Sequence, residues 1–232
     1  MSKSEIKDIR ALSQKKFRDE RKLFIVEGEK LVAEAVASDF EVVRILRTED
    51  IGYEAMSRIS LLSSPSPVLA VVKMPSAGAG CGIDTESLTL ALDGLRDPGN
   101  VGTIIRLADW FGIRHIIASR DTVDIYNPKV VQATMGALFR VDFTYCDLPE
   151  ILSGVSCPVF GTYLEGDNIY EADLPERGVI VMGSEADGIS PEVGKCVTVR
   201  LTIPHFSTGK SVCESLNVAM AAAVVCSEFR RR

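Results

Sequence analysis

Apolar and polar positions along the chain follow two different rhythms. From about Ser4 to Glu20 the densely charged chain reads as one helix. A short apolar run, Phe24–Gly28, then predicts a strand, and Glu29–Ser38 a helix. Val42–Thr48 reads as a strand, Tyr53–Arg58 as a short helix and Val68–Met74 as a further strand. The stretch Met74–Ser87, rich in Gly and small residues, breaks this regularity. Beyond it strands and helices alternate: strands at Leu88–Asp93, Arg114–Ser119, Val141–Cys146, Pro158–Leu164, Val179–Gly183 and Val197–Ile203. Helices fall at Val101–Phe111, Pro128–Leu138, Leu148–Leu152 and Ser215–Phe229. Near-continuous apolar strands separated by helices predict an open, mainly parallel sheet covered on both faces. The pattern gives a small α/β domain at residues 1–77, a linker at 78–87 and a larger α/β domain at 88–232.

Composition narrows the class. With 46% hydrophobic and 25% charged residues, the 232-residue chain has enough apolar material for proper cores. No stretch reaches membrane-spanning length, and the charged N-terminus is unlike a secretory signal, so the expected location is the cytoplasm. Six scattered cysteines without a C-x-x-C pair, and two histidines, argue against a structural zinc or a disulfide framework; no metal is expected. The net charge of −6 hides an asymmetry. Residues 1–22 hold 8 basic and 4 acidic side chains, and the run Lys15, Lys16, Arg18, Arg21 and Lys22 reads either as a solvated helix face or as a phosphate-contacting patch.

Three turns of the second half carry the chemistry. In Asp97–Gly112 (DPGNVGTIIRLADWFG), Pro98 and Gly99 turn the chain and Asn100 is placed to cap the next helix, leaving its first amides facing outward, suited to an anion. Arg106 then stands alone on an otherwise apolar helix. In Val179–Ser190 (VIVMGSEADGIS) the strand stops at Gly183, where a missing side chain lets a ligand approach the backbone, and Glu185 follows. In Ser215–Val225 (SLNVAMAAAVV), Ser215 and Asn217 sit where a helix begins; capping is their nearest role, and Asn217 is also able to hold a second loop.

Taken in order, D-P-x-N-x-G-x-x-x-R, G-x-E-x-x-G and I-P…S-L-N-V resemble the three signature motifs of the SpoU (TrmH-like) branch of the SPOUT superfamily of RNA ribose 2′-O-methyltransferases. The segment Lys15–Val36 resembles the small ribosomal-protein-like α/β substrate-binding domain that precedes the catalytic domain in many members. The resemblance implies a parallel sheet whose C-terminal segment threads a deep trefoil knot, a homodimer, and S-adenosyl-L-methionine held by the loops after three strands. Carried over, the cofactor positions are Thr162, Leu164, Met182, Gly183, Ile203 and Leu216. The catalytic set is Arg106, Asn100, Glu185, Ser215 and Asn217, with Arg106 central. Ribosomal RNA is the favoured substrate and transfer RNA the second. The connection His205–Glu214 is longer than the family usually has, leaving His205, Ser207, Lys210 and Ser211 without assigned roles. Two other classes compete: a dinucleotide-dependent oxidoreductase, disfavoured because no G-x-G-x-x-G opens a βαβ unit, and a non-catalytic RNA-binding or assembly protein on the same fold.

Overall fold

The computed structural model describes residues 1–75, 83–206 and 215–231. In its first third the chain runs α1 (Lys3–Ala11), α2 (Lys15–Arg21), β1 (Leu23–Glu27), α3 (Glu29–Ala37), β2 (Val42–Arg47), α4 (Thr48–Ile51), α5 (Tyr53–Ile59) and β3 (Val68–Lys73). It continues with β4 (Leu88–Asp93), α6 (Pro98–Trp110), β5 (His115–Ser119), α7 (Pro128–Thr134), β6 (Asp142–Cys146) and α8 (Leu148–Ser153). β7 (Val159–Asn168), β8 (Gly178–Gly183), α9 (Pro191–Gly194), β9 (Val199–Thr202) and α10 (Val218–Arg231) complete it. Two compact units result: Met1–Ala79 together with Asp124–Arg140, and Gly80–Val123 together with Val141–Arg232.

In the smaller unit β3 lies between β1 and β2, antiparallel to both. One sheet face packs Ile25, Leu46, Leu69 and Val71 against Ile6, Ile9 and Leu12 and against Met56 and Ile59. The long charged helix predicted over Ser4–Glu20 is two helices: the chain turns at Leu12–Gln14, which buries Leu12. α1 starts in a capping box, in which Ser2 accepts from the Glu5 backbone and Glu5 accepts from the Ser2 backbone. That backbone bond, with Arg44 beside it, holds the Glu5 carboxyl down at about 2.

Segment Asp124–Arg140 belongs to this unit although its sequence neighbours on both sides belong to the other. Tyr126 packs on Phe24 with ring centroids 4.7 Å apart and planes tilted by 41°, and Phe139 meets Phe40 edge-on at 5.0 Å. Arg18 pairs with Asp124 at one end of the segment, and Arg140 pairs with Glu34 at the other. The helix predicted over Pro128–Leu138 stops at Thr134 because Met135 and Gly136 take left-handed conformations, φ 52° and 96°. A Cβ on Gly136 would come within 2.8 Å of the Glu34 side chain, so glycine is needed for both reasons.

The larger unit is a six-stranded, all-parallel sheet in the order β6-β5-β4-β8-β7-β9. β4 is buried along its whole length and β8 almost so, which is why both read as unbroken apolar runs. Their register, from Leu88 opposite Gly178 to Asp93 opposite Gly183, brings their carboxyl ends together. α10 packs back on α6 and reaches β8, and Phe229 meets Phe160 edge-on at 5.0 Å. β7 outruns its predicted end at Leu164. Thr162 and Asp167 both face Leu201 of β9, so residues 163–166 bulge out of the ladder. Gly166 in that bulge lies so close to the Arg200 carbonyl that a Cβ would meet it at 2.6 Å.

Residues 78–82 of the linker expected at 78–87 lie outside the described residues. Cys146, Cys157 and Cys226 are buried and Cys196 is half-buried. Burial pushes the Cys226 thiol up to about 12.

Candidate active site

α6 begins three residues earlier than predicted, and this changes the role of Asn100. Pro98 occupies the first helical position, where its missing N–H costs nothing, and Asp97 is the N-cap, accepting from the Asn100 backbone at 2.8 Å. Asn100 is therefore not the cap. The helix start is not an open anion site either, since the Asp97 carboxylate already sits there.

Relieved of capping, the Asn100 side chain joins the three motif loops. Its Nδ2 donates to the Glu185 carboxylate, and its Oδ1 accepts from Asn217 Nδ2 at 3.0 Å. The polarity of this chain follows from α10. Asn217 Oδ1 caps that helix by accepting from the Ala219 and Met220 backbones at 3.0 and 3.3 Å, so only its NH₂ is left for Asn100. Asn100 must then turn its own NH₂ toward Glu185, which suits an ionised carboxylate. Both roles read for Asn217, cap and clasp, are found together. Ser215 is exposed just before the capped turn.

The turn after β8 is tight. Ser184 and Gly188 exchange two backbone hydrogen bonds at 3.0 Å, and a Cβ on Gly183 would meet the Gly188 carbonyl carbon at 2.2 Å. Gly183 is thus required by its own turn; the space its missing side chain leaves is filled by the Gly188–Ile189 backbone, and the expectation of ligand approach at that face is corrected. A residue the motif reading passed over anchors the turn from below: buried Asp93, the last residue of β4, accepts from the Ser190 backbone at 2.7 Å. An acid ending an apolar strand is its only sequence signal.

The six cofactor candidates divide by exposure. Met182 and Gly183 end β8 and Ile203 follows the last residue of β9, while Thr162 and Leu164 lie within β7, the strand between those two, at the start of and inside its bulge. Thr162 Oγ1 donates to the Val181 carbonyl at 3.1 Å, and Thr202 Oγ1 to the Leu164 carbonyl at 3.0 Å. The Met182 side chain is buried, leaving only its backbone for a ligand, whereas Leu164 and Leu216 stand 73% and 51% exposed. Leucines this exposed, among backbone donors and acceptors, fit a flat, partly apolar ligand with polar edges. His205 is exposed; Ser207, Lys210 and Ser211 lie outside the described residues.

Arg106 is not part of the Glu185–Asn100–Asn217 chain. It is exposed, and no hydrogen bond or ion pair engages it among the described residues. It lies about 9 Å further along α6 at ~1.5 Å per residue. With Gly99, Thr103 and Trp110 it forms one exposed stripe, ending in a Trp110 that is 83% exposed.

In the basic N-terminal run the structure removes one member. Arg18 is 2% exposed; its guanidinium donates to the Asp124 carboxylate at 2.6 and 3.2 Å and to the Leu12 and Ser13 carbonyls. It is an internal strut and not a phosphate contact. Arg21 pairs with Asp8, and Lys15 with Asp19 one turn on. Lys16 and Lys22 are exposed, Lys22 in a left-handed conformation with φ 57°.

Among the described residues no His/Cys/Asp/Glu cluster suits a metal, and no helix is long and apolar enough to cross a membrane. An all-parallel sheet whose three motif loops meet at its carboxyl rim is the architecture of a methyltransferase class: residues 87–227 match the SpoU rRNA Methylase family, and the chain belongs to it. Residues 3–73 match the MRM3-like substrate binding domain. The 23S rRNA (guanosine(2553)-2′-O)-methyltransferase of Bacillus subtilis (strain 168) is 29% identical, over 97% of this chain and 95% of that protein. A TrmH-family protein of Porphyromonas gingivalis has a structure similar at a TM-score of 0.86, 42% identical and covering 100% of this chain and 98% of its own. An AdoMet-bound rRNA methyltransferase from Sinorhizobium meliloti has a TM-score of 0.86 at 28% identity, covering 99% and 95%.

Proposed function

We propose that this protein transfers a methyl group from S-adenosyl-L-methionine to a ribose 2′-hydroxyl of ribosomal RNA, as a homodimer with a knotted C-terminal segment. The observation that carries the reading is the hydrogen-bonded chain Glu185–Asn100–Asn217, which fixes three separate loops beside the cofactor candidates. Family membership and the rRNA-directed relatives support the substrate class.

S-adenosyl-L-methionine, when bound, supplies a methyl on a sulfonium, a strong electrophile. Thr162, Leu164, Ile203 and Leu216 would hold it, with the Met182 backbone. A ribose hydroxyl is a poor nucleophile until its proton is drawn away. Glu185, held in place by the hydrogen bond from the Asn100 amide, is the group placed to accept that proton. Arginine stays protonated in proteins, so Arg106 acts as a cation: it fixes the neighbouring phosphate bidentately and stabilises the developing alkoxide. Asn100 and Asn217 set the geometry, and Ser215 lines the same rim.

The stripe Gly99, Thr103, Arg106 and Trp110, with Met220 exposed on the helix packed beside it, suits burial by a second copy of the chain. Arg106 then works across a dimer interface, which explains why it stands apart from the Asn100 network within one protomer. The exposed cations Lys15, Lys16, Arg21 and Lys22 serve as phosphate contacts of the smaller unit. Transfer RNA is the second substrate reading, and the cytoplasm is the location that goes with the bacterial rRNA-directed relatives.

The test is incorporation of radiolabelled methyl from S-adenosyl-L-methionine into purified ribosomal RNA, followed by nuclease digestion. A 2′-O-methylated dinucleotide resistant to alkaline hydrolysis supports the reading; label on a base, or none, rejects it.

A further inference from the structure

The built-in carboxylate at the start of α6 raises a question that the catalytic residues leave open. A ribose presented to Glu185 brings phosphates on both sides, yet the helix start beside it is already neutralised by Asp97. Another cation has to meet the backbone at this rim. Arg96 immediately precedes Asp97, is 76% exposed, and extends beside Asp121 with a nitrogen-oxygen distance of 3.6 Å. Arg120 is exposed in the neighbouring loop and engages no partner among the described residues.

The two arginines sit on a braced platform. Gly94 N donates to Ser119 Oγ at 2.8 Å, and Ser119 Oγ donates to Asp121 at 2.6 Å. Val123 N donates to the Leu95 carbonyl at 2.9 Å, and Thr122 Oγ1 to the Leu92 carbonyl at 3.2 Å. These bonds lock the loop after β4 to the loop after β5. The Ser119 hydroxyl also holds the Asp121 carboxyl below the usual range, so it stays a counter-charge that orients Arg96. The platform adjoins the Glu185 turn. A Cβ on Gly94 would lie 3.3 Å from Asp121 Oδ2 and 4.0 Å from Ser184 Cβ, so Gly94 alone separates the arginine's partner from the residue before Glu185. Its φ of 68° suits glycine in any case.

We infer that Arg96, oriented by Asp121, and Arg120 form a phosphate-binding subsite of the catalytic unit that grips the RNA backbone next to the acceptor nucleotide. This rests on the RNA reading above and assigns it a contact that the signature motifs do not include. The subsite reads charge and not base identity.

The test uses the full-length protein and a fluorescein-labelled RNA hairpin, with binding followed by anisotropy between about 50 and 200 mM salt. Arg96→Ala with Arg120→Ala should lower the slope of log K against log salt by about 1.5, since each phosphate that a cation neutralises contributes roughly 0.7–0.9. Asp121→Asn should raise KM for RNA several-fold with kcat nearly unchanged. Arg114→Ala, just before β5, with Lys195→Ala, at the end of α9, is the control and should leave the slope as it is. An unchanged slope in the Arg96/Arg120 variant, with its thermal unfolding intact, overturns the subsite while the RNA reading stands. Wild-type protein that binds no RNA overturns both.

Discussion

Arg18 and Arg106 are both helix arginines that the sequence offers as site residues, Arg18 within a basic run and Arg106 alone on an apolar helix, and the structure gives them opposite fates. In the smaller unit Arg18 is buried to 2% exposure and holds Asp124, a residue 106 positions away. In the larger unit Arg106 faces outward with no partner among the described residues. Sheet type accounts for much of the contrast. An antiparallel sheet sends its connections to both ends, and the smaller unit needs a segment from elsewhere in the chain to complete its core. A parallel sheet returns every strand to the same rim, so its loops accumulate there and unpaired polar groups become a site.

Replacing the two arginines tests the contrast most strongly. Arg106→Ala should cut kcat by about 100-fold to 1,000-fold, the scale of losing one charge-stabilising donor, with the affinity for S-adenosyl-L-methionine little changed. A turnover assay alongside calorimetry reads both, and a large fall in cofactor affinity would move Arg106 into a binding role. Arg18→Ala leaves the Asp124 carboxylate in a half-buried place without its partner, and should destabilise by about 3 kcal/mol in urea unfolding. Its RNA salt dependence should match wild type; a reduced slope would return Arg18 to the surface.

Next in size is the clasp. Asn100→Ala strands both Glu185 and Asn217, and misplaced groups at such a centre cost about 100-fold in rate. Asn100→Asp should be at least as damaging, because a carboxylate there faces Glu185 with like charge. Asp97→Ala removes only a cap, about 1 kcal/mol of stability, measurable as a lower urea midpoint. Equal effects of Asp97→Ala and Asn100→Ala on both stability and rate would show that the two share one job.

The smallest effect is at Glu5. Its folded value, about 2, lies below the ordinary 4.5. A depressed carboxylate contributes stability that is present above the unfolded value and disappears as pH falls from about 4.5 toward 2. Glu5→Gln should flatten that part of the acid-unfolding curve slightly, as expected for an exposed group.

Much of this is legible in the sequence because strands and motifs are local. The bounds of Leu88–Asp93 agree between pattern and structure, since a run of buried apolar residues between turn formers has little else to become. The three motif loops are also visible as turns. What pattern does not reveal is partnership across distance. Nothing near Pro128–Thr134 announces that its apolar face serves the smaller unit, because periodicity specifies a face and not its neighbour. Asn100 reads as a cap since Asn is a good one; Asp97 with Pro98 beside it is the better candidate, and choosing it frees Asn100 for the clasp. Gly183 illustrates the same limit: glycine marks a close approach, and here the approaching group is the chain's own backbone.

The most direct test of the central claim is a site-resolved map of 2′-O-methylation on ribosomal RNA from cells lacking this protein, after incubation with S-adenosyl-L-methionine and purified enzyme. The account predicts that wild-type protein restores a ribose methyl at a defined nucleotide and that Arg106→Ala does not. Restoration by Arg106→Ala at the wild-type rate, or a methyl placed on a base, would contradict it.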